Sequence, residues 1–304
     1  MKKPPSRRFL GLMALVFLST VGRAQSATTS TDAPDDQDVI VVTAKREAEI
    51  RGEIKVMTQS IARRPRIDKP IARQYGEICI GVLGLAPDHA SVLIRRMQDN
   101  ARRLDIAVGE EGCRVNTLIA FVRDSRAKVV KLRKELPWLF GTLLGYEYDR
   151  ILKGNGAVQA WHATQEREVD GKEFNTLQRS PGRSIQQADP FTASRFGQQL
   201  RTDMLGSIIL IDSAAAPGKT LQQLADYASM RSYAAVDDFS RGQKSSIPSI
   251  LSLFAENDSA PAAMSDFDWA YLEALYHLQR NARGAALHDA AWTLYRRRLA
   301  LVPE

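Results

Sequence analysis

The stretch "ICIGVLGLAPDHASVLIRRMQDNARRL", residues 78–104, with "TLIAFV" at 117–122, decides the fold class. Ile78–Leu83 is a short apolar run, and Pro87 suits the first turn of a helix. Thr117–Val122 is nearly all apolar, as expected of a strand covered on both faces. The stretch therefore predicts a strand, a helix and a second strand, with the two strands parallel and adjacent. Apolar residues at helical spacing mark one face of the helix: Leu93, Met97, Ala101 and Leu104.

The same patterns predict the rest of the globular part. A strand is expected at 157–169, ending in a hairpin turn at Asp170-Gly171, and another at Ser207–Asp212. Residues 180–190 are rich in Ser, Pro, Gly, Gln and Asp, which indicates a long surface loop. The predicted fold class is α/β or α+β: a mixed sheet with a βαβ unit in the first half and a helical C-terminal third. Helices are expected at 125–136, 146–152, 221–234, 267–279 and 285–301.

The N-terminus predicts export. Residues 1–8 are basic, Phe9–Val21 is apolar and too short to span a bilayer, and small residues follow. We expect a signal peptide over 1–24, cleaved near Ala24 or Ser26 to give a periplasmic or secreted protein; an uncleaved anchor is the alternative. Residues 25–74 are expected to form a disordered or extended arm and a basic linker. One globular domain would cover 75–302, with 180–195 as the candidate point of subdivision.

The charge balance argues against nucleic-acid binding. The chain has 42 Lys and Arg against 35 Asp and Glu, a net charge of +7. Five of these basic residues and no acidic one lie in residues 1–24, so the chain that follows the leader carries only +2. Most of the excess thus belongs to the export signal. Residues 45–73 keep a local charge of +5, so we expect membrane contact through the leader or weakly through this run.

Two cysteines suit an exported chain. In an oxidising compartment Cys79 and Cys113 are expected to form a disulfide; two separate buried thiols are the alternative. If the strands of the βαβ unit are parallel neighbours, both cysteines fall near the same end of the sheet. A bridge closing this loop would stabilise the fold by about 3–4 kcal/mol in the chain-entropy model.

Gly218-Lys219-Thr220 stands where a phosphate-binding loop would stand, between a strand and a helix. The loop pattern needs a glycine separated from Gly218 by four residues, but Ser213 occupies that position. Pro217 also removes one amide donor. The better interpretation is a helix start, with Gly218 in the turn, Thr220 as N-cap and Gln223 completing a capping box. Nucleotide binding is the third and weakest functional hypothesis.

The helix after this turn invites comparison with metallopeptidases. The segment Leu221–Tyr276, with "TLQQLADYASM", "SILSLF" and "DFDWAYLEALY", resembles an uncharacterised family of exported bacterial domains similar to a degenerate zincin. In zincins this helix carries His-Glu-x-x-His; here Gln222, Gln223 and Asp226 stand at the aligned positions. The resemblance implies a scaffold or binding role without peptide-bond chemistry. An ordinary core helix is the simpler alternative, because apolar residues form one stripe: Leu221, Leu224, Ala225 and Ala228.

Candidate catalytic groups are few. Glu273 and His277 lie four residues apart on a predicted helix, so both side chains could reach one ion, but two ligands are too few for a closed site. An exported hydrolase would have to assemble its site in the fold from His162, Asp226, Glu273 and His277. We predict no bound metal and no cofactor.

The N-terminal arm contains a possible partner-binding segment. "DVIVVTAKRE", residues 38–47, resembles the TonB box of TonB-dependent receptors, although no barrel-forming strands follow it. The resemblance implies that an extended segment pairs with an edge strand of a TonB-like periplasmic protein. Its residues are Val39, Ile40, Val41, Val42 and Thr43. The alternatives are a strand that docks on the protein's own sheet, or a tether.

These observations favour an exported, non-catalytic binding or scaffold protein with a TonB-box-like arm. An exported hydrolase, with a divergent metallopeptidase-like design, is the alternative.

Overall fold

The computed structural model describes residues 36–62, 69–153, 156–180, 183–187, 200–238, 246–255 and 260–300. The expected signal peptide and its cleavage sites lie outside them. The chain divides into two compact units, residues 1–45 and 46–304, and the packing given below belongs to the second. None of the described helices has the length and apolarity needed to cross a bilayer.

Within these residues the chain forms seven α-helices and seven strands. The helices are α1 (Asp36–Ile61), α2 (Pro87–Arg103), α3 (Ser125–Glu135), α4 (Gly145–Lys153), α5 (Leu221–Tyr233), α6 (Asp266–His277) and α7 (Gly284–Ala300). The strands are β1 (Ala72–Arg73), β2 (Ile80–Leu83), β3 (Thr117–Val122), β4 (Val158–Glu168), β5 (Asn175–Ser180), β6 (Arg183–Gln187) and β7 (Leu200–Asp212). Short 3-10 turns lie at Pro137–Phe140, Ser213–Ala215 and Ile250–Ser252.

The predicted βαβ unit is confirmed. Strands β2 and β3 are parallel neighbours, with Ile80 opposite Thr117. Pro87 opens α2, and Leu93, Met97 and Ala101 are buried along its inner face. The crossover helix therefore covers one face of the two strands that it connects, as a short parallel connection requires.

Strand β7 is the centre of a mixed five-stranded sheet. Residues Thr117–Val122 of β3 run parallel to Ser207–Asp212, as the sequence predicts for a buried strand there. Strand β1 pairs with the earlier part of β7, and β4 runs antiparallel along almost its whole length. The turn after β4 is also confirmed, with Gly171 at φ +100 and its amide donating to the carbonyl of Glu168 over 2.8 Å.

Helices cover both faces of this sheet because successive strand side chains point to opposite sides. Ile119, Phe121 and Ile211 face a large apolar cluster that includes residues of α2, α5, α6 and α7. Ala120 and Leu210 face a smaller cluster made with α3, α4 and the Pro137–Phe140 turn. The result is a helix–sheet–helix arrangement with a helical C-terminal region, within the predicted fold class.

The Cys79–Cys113 disulfide is present, with Cα atoms 5.9 Å apart. It joins the start of β2 to the loop that leads into β3. Asn116 reinforces this connection, because its Oδ1 accepts from the Cys79 amide at 2.9 Å and its Nδ2 donates to the Glu77 carbonyl at 2.9 Å. The bridge thus closes the βαβ unit at one end of the sheet.

Two expectations for irregular segments are corrected. Val39–Thr43 lies in the first part of α1 and is not extended. The second part of α1 buries Ile54, Met57 and Ile61 completely or almost completely, and their spacing of three and four residues is that of a helix face. These residues therefore belong to a core helix where a linker was expected, and the packed region begins before residue 75.

The expected loop at 180–190 contains part of an antiparallel hairpin formed by β5 and β6.

A buried carboxylate stabilises the start of α6 through hydrogen bonds. Asp268 is fully buried and accepts from the amides of Ile250 and Ser265 at 2.8 and 2.9 Å and from the Ser249 hydroxyl at 2.5 Å. Ser265 is the N-cap and forms a capping box with Asp268. Burial raises the pKa of Asp268 to about 6, although its hydrogen bonds oppose the rise.

The disulfide makes a direct stability prediction. A Cys79→Ser/Cys113→Ser variant should lose about 3–4 kcal/mol of unfolding free energy, since the unfolded chain regains the freedom of the closed loop. Urea denaturation with and without reductant measures this loss. Reduced wild type should match the double variant, and reductant should leave the variant unchanged. Two freely alkylated thiols in native protein would contradict the bridge.

Asp268 predicts a pH-dependent difference in stability. Its folded pKa lies above the ordinary value near 3.8, so the folded state binds the extra proton between about pH 4 and 6. This contribution is complete below pH 4 and is lost as the pH rises through 6. Relative to Asp268→Asn, wild type should therefore gain up to about 3 kcal/mol of unfolding free energy on going from pH 7 to pH 4. Denaturation curves at several pH values measure it.

The exposed neighbour Asp266 provides the matched control. Asp266→Asn leaves Asp268 in place, so it should keep the pH dependence of wild type. Parallel curves for wild type and Asp268→Asn across this range would refute the assignment.

Candidate functional site

Asp226 lies in the interior with all its acceptor positions occupied. Its side chain is 0% exposed. Arg96 binds it with Nε and Nη2 at 2.8 and 3.0 Å, Asn100 Nδ2 donates at 2.8 Å, and the Met264 amide donates at 2.9 Å. A carboxylate has about four lone-pair positions. The four donors fill them, so Asp226 joins α2, α5 and the approach to α6 and offers no position to a substrate.

His162 supports the end of α5. It is 4% exposed on β4, and its Nε2 lies 2.8 Å from the Arg231 carbonyl oxygen, so this nitrogen carries the proton in that contact. Ser207 donates to the next carbonyl at 3.1 Å and Tyr276 to the one after at 2.8 Å. The last carbonyls of a helix have no partner inside the helix. Three side chains from the sheet and α6 supply those partners here.

Glu273 and His277 have separate partners. The Glu273 carboxylate pairs with Arg298 on α7 and lies 3.8 Å from Arg103 on α2. His277 is exposed, and its Nδ1 contacts the backbone carbonyl of Glu273 at 2.7 Å. Among the described residues, no three His, Cys, Asp or Glu side chains are grouped to hold a metal ion. Each of the four candidate catalytic residues therefore has its own structural partner: Asp226 binds Arg96, His162 meets the Arg231 carbonyl, Glu273 pairs with Arg298, and His277 contacts the Glu273 carbonyl.

The turn before α5 is a helix start. Gly218 has φ +82, the Thr220 hydroxyl accepts from the Gln223 amide at 3.1 Å, and the Gln223 side chain accepts from the Thr220 amide at 3.0 Å. The predicted capping box is confirmed. Lys219 places its ammonium 5.4 Å from the centre of the Phe254 ring, a cation–π contact on the protein's own surface.

A cavity of about 470 Å³ is the strongest candidate site. Its wall is built from segments far apart in sequence. The lining residues are Ala62, residues 69–72, Thr142, Leu143, Leu144, Tyr146, Glu147, Arg150, Ile151, His162, residues 164–166, Thr202, Ala235, Tyr271, Leu275, Gly284 and Leu287. Strand β4 provides one side, α4 and the residues before it provide another, and α6 and α7 close the third. Ligand sites are commonly concave and of this size.

The cavity wall combines apolar and charged side chains. Ile71, Leu143 and Leu287 belong to the apolar part. Lys69 pairs with Glu166 on β4, and Glu147 accepts from the Leu144 amide at 2.7 Å. This combination suits a molecule with an apolar body and a polar or charged end.

Two further wall residues provide polar groups that could contact a ligand. Arg150 lies 3.9 Å from Asp237 and belongs to the cavity wall. Tyr271 also belongs to the wall. Its phenol is a hydrogen-bond donor at neutral pH, and burial raises its pKa further above the ordinary value. Of the candidate catalytic residues only His162 reaches the cavity wall. No local motif marks the cavity, because its residues converge only after the sheet and helices pack.

Comparison of the chain with family models, with curated proteins and with solved structures finds no match in any of the three.

Proposed function

We propose that this chain is an exported binding protein that holds a small amphipathic molecule in the 470 Å³ cavity. The observation that carries the proposal is the composition of the cavity wall: aliphatic side chains beside the Lys69–Glu166 and Arg150–Asp237 charge pairs. Export is supported by the leader-like N-terminus and by the Cys79–Cys113 disulfide, which suits an oxidising compartment.

The contacts of the candidate catalytic residues favour binding over hydrolysis. A hydrolase needs a base or nucleophile beside the bound substrate. Asp226 is enclosed by its four donors, His162 holds a helix end, and Glu273 pairs with arginine. These residues stabilise the fold. The cavity is therefore the site that we propose for ligand binding.

The TonB-box-like segment Val39–Thr43 adds a proposed contact with a TonB-like periplasmic protein. Pairing by β-augmentation requires an extended strand, whereas these residues lie in α1. The contact would therefore require the first part of α1 to unwind. Segments at a helix end unwind at lower free-energy cost than segments inside the core.

The cavity proposal predicts saturable binding of 8-anilinonaphthalene-1-sulfonate, a probe with an apolar ring system and one anionic group. Ala235 lies on the cavity wall, so Ala235→Phe should occupy the space and weaken binding at least tenfold. Probe fluorescence in a titration measures the affinity. Ala127→Phe on the exposed side of α3 is the matched control and should bind like wild type.

Near-UV circular dichroism of each variant identifies loss of packing, which would itself expose probe-binding surface. Equal affinity of well-folded wild type and Ala235→Phe would exclude the cavity as the site.

The arm is tested by capture on an immobilised TonB C-terminal domain. Val41→Pro should abolish capture, since proline removes an amide donor from the added strand. Val41→Thr keeps a β-branched side chain and should retain it. Capture of wild type and Val41→Pro to the same extent would remove the arm from the proposal and leave the cavity proposal unaffected.

A further inference from the structure

Exposed large apolar side chains concentrate in one segment of the chain. We define the Trp138 edge as Val130, Leu136, Trp138, Leu144 and Tyr146, which are 44%, 38%, 72%, 48% and 58% exposed. They are five of the eleven exposed large hydrophobic residues among the described positions. Single exposed apolar residues are ordinary, but a concentration of them that includes tryptophan and tyrosine indicates an interaction surface.

A rigid base holds the Trp138 edge outward. Phe140 is buried and stacks on Trp161, with ring centres 4.8 Å apart. Trp161 Nε1 donates to the Leu139 carbonyl at 3.1 Å, and Tyr148 meets Phe140 edge-on at 5.8 Å. Leu139 and Phe140 therefore pack inward, while Trp138 next to them stays outside. The exposure of Trp138 follows from this packed turn.

The same region carries a concentrated positive charge. Helix α3 has five basic residues and one acidic residue, Glu135, and Lys131 lies 3.7 Å from that carboxylate. Arg133 places its guanidinium 4.1 Å from the centre of the Tyr148 ring, at the base of the Trp138 edge. The other basic residues of α3 are Arg126, Lys128 and Lys134. The excess of four positive charges on eleven residues is complementary to an anionic surface.

We propose that the Trp138 edge docks this protein on the surface of an anionic lipid bilayer. Tryptophan and tyrosine favour the boundary between headgroups and acyl chains, and lysine and arginine are attracted to anionic headgroups. Both features lie together here, as they do on proteins that bind in the plane of the interface. This surface is distinct from residues 45–73, where the sequence suggested weak lipid contact.

Docking would also orient the cavity. Leu144 and Tyr146 belong to the cavity wall and to the Trp138 edge. A docked protein would hold that side of the cavity next to the bilayer, a favourable position for exchanging an amphipathic molecule with it. The docking proposal itself depends on the exposed side chains and on the charge of α3, and it stands if the cavity binds nothing.

Tryptophan fluorescence of the full chain with lipid vesicles tests the proposal. The chain has four tryptophans; Trp161, Trp269 and Trp292 are 1%, 6% and 8% exposed, so a change on binding reports on Trp138. Vesicles of phosphatidylcholine and phosphatidylglycerol at about three to one should shift the emission to the blue, and brominated acyl chains should quench it. Pure phosphatidylcholine should do neither. The leader contains no tryptophan, so its own insertion does not produce the signal.

Variants separate the apolar and charged contributions. Trp138→Ser should remove the quenching and reduce the vesicle-bound fraction, relative to Leu299→Ser, which replaces another exposed apolar residue. Lys131→Ser/Lys134→Ser should lower the coefficient for partition of the protein onto anionic vesicles at least fivefold. High salt should lower it as well. Arg95→Ser/Arg283→Ser, at exposed positions outside α3 and outside residues 45–73, should behave like wild type.

Equal quenching with both vesicle types, or absence of quenching with anionic vesicles, would overturn the proposal. A blue shift without vesicles that appears together with a doubled mass at high protein concentration would also overturn it. That result would assign the Trp138 edge to contact between two copies of the chain.

Discussion

The ion pair between Asp226 and Arg96 is the interaction on which the arrangement of helices depends. Helix α5 is buried along ten consecutive residues, Leu224–Tyr233, so its polar side chains must find partners inside the protein. Two parallel hydrogen bonds from Arg96, with Asn100 and the Met264 amide, stabilise the Asp226 carboxylate. The hydrogen bond to Asp226 also raises the pKa of Arg96. Loss of Arg96 would leave the Asp226 carboxylate as an uncompensated charge in the interior.

The same requirement organises the other end of α5. His162 and Ser207 on the sheet and Tyr276 on α6 each meet one of its last carbonyls. Ala235 lies two residues beyond this end and on the cavity wall. The cavity therefore lies beside the end of the buried helix, and residues of β4, α4, α6 and α7 also line it.

Local pattern was sufficient for the elements whose neighbours in space are also neighbours in sequence. Pro87, the apolar face of α2 and the two apolar runs beside it predict the βαβ unit, and the unit places Cys79 and Cys113 within bonding distance. Thr220 and Gln223 predict the start of α5 because a capping box involves residues only three apart. The prediction that Val39–Thr43 is extended is wrong, since these β-branched residues lie in α1. Later in this helix Ile54, Met57 and Ile61 are buried at helical spacing.

The sequence alone determined a mixed α/β fold, a disulfide and a strand at Ser207–Asp212, the second half of β7. It also named a few candidate catalytic groups: His162, Asp226, Glu273 and His277. The tertiary structure decided what those groups do. Asp226 became the centre of an internal network because α2 brings Arg96 and Asn100 to it across about 130 residues of chain. The cavity and the Trp138 edge likewise depend on which segments, distant in sequence, pack against one another. Local patterns can mark the apolar face of one helix, but they do not encode these long-range contacts.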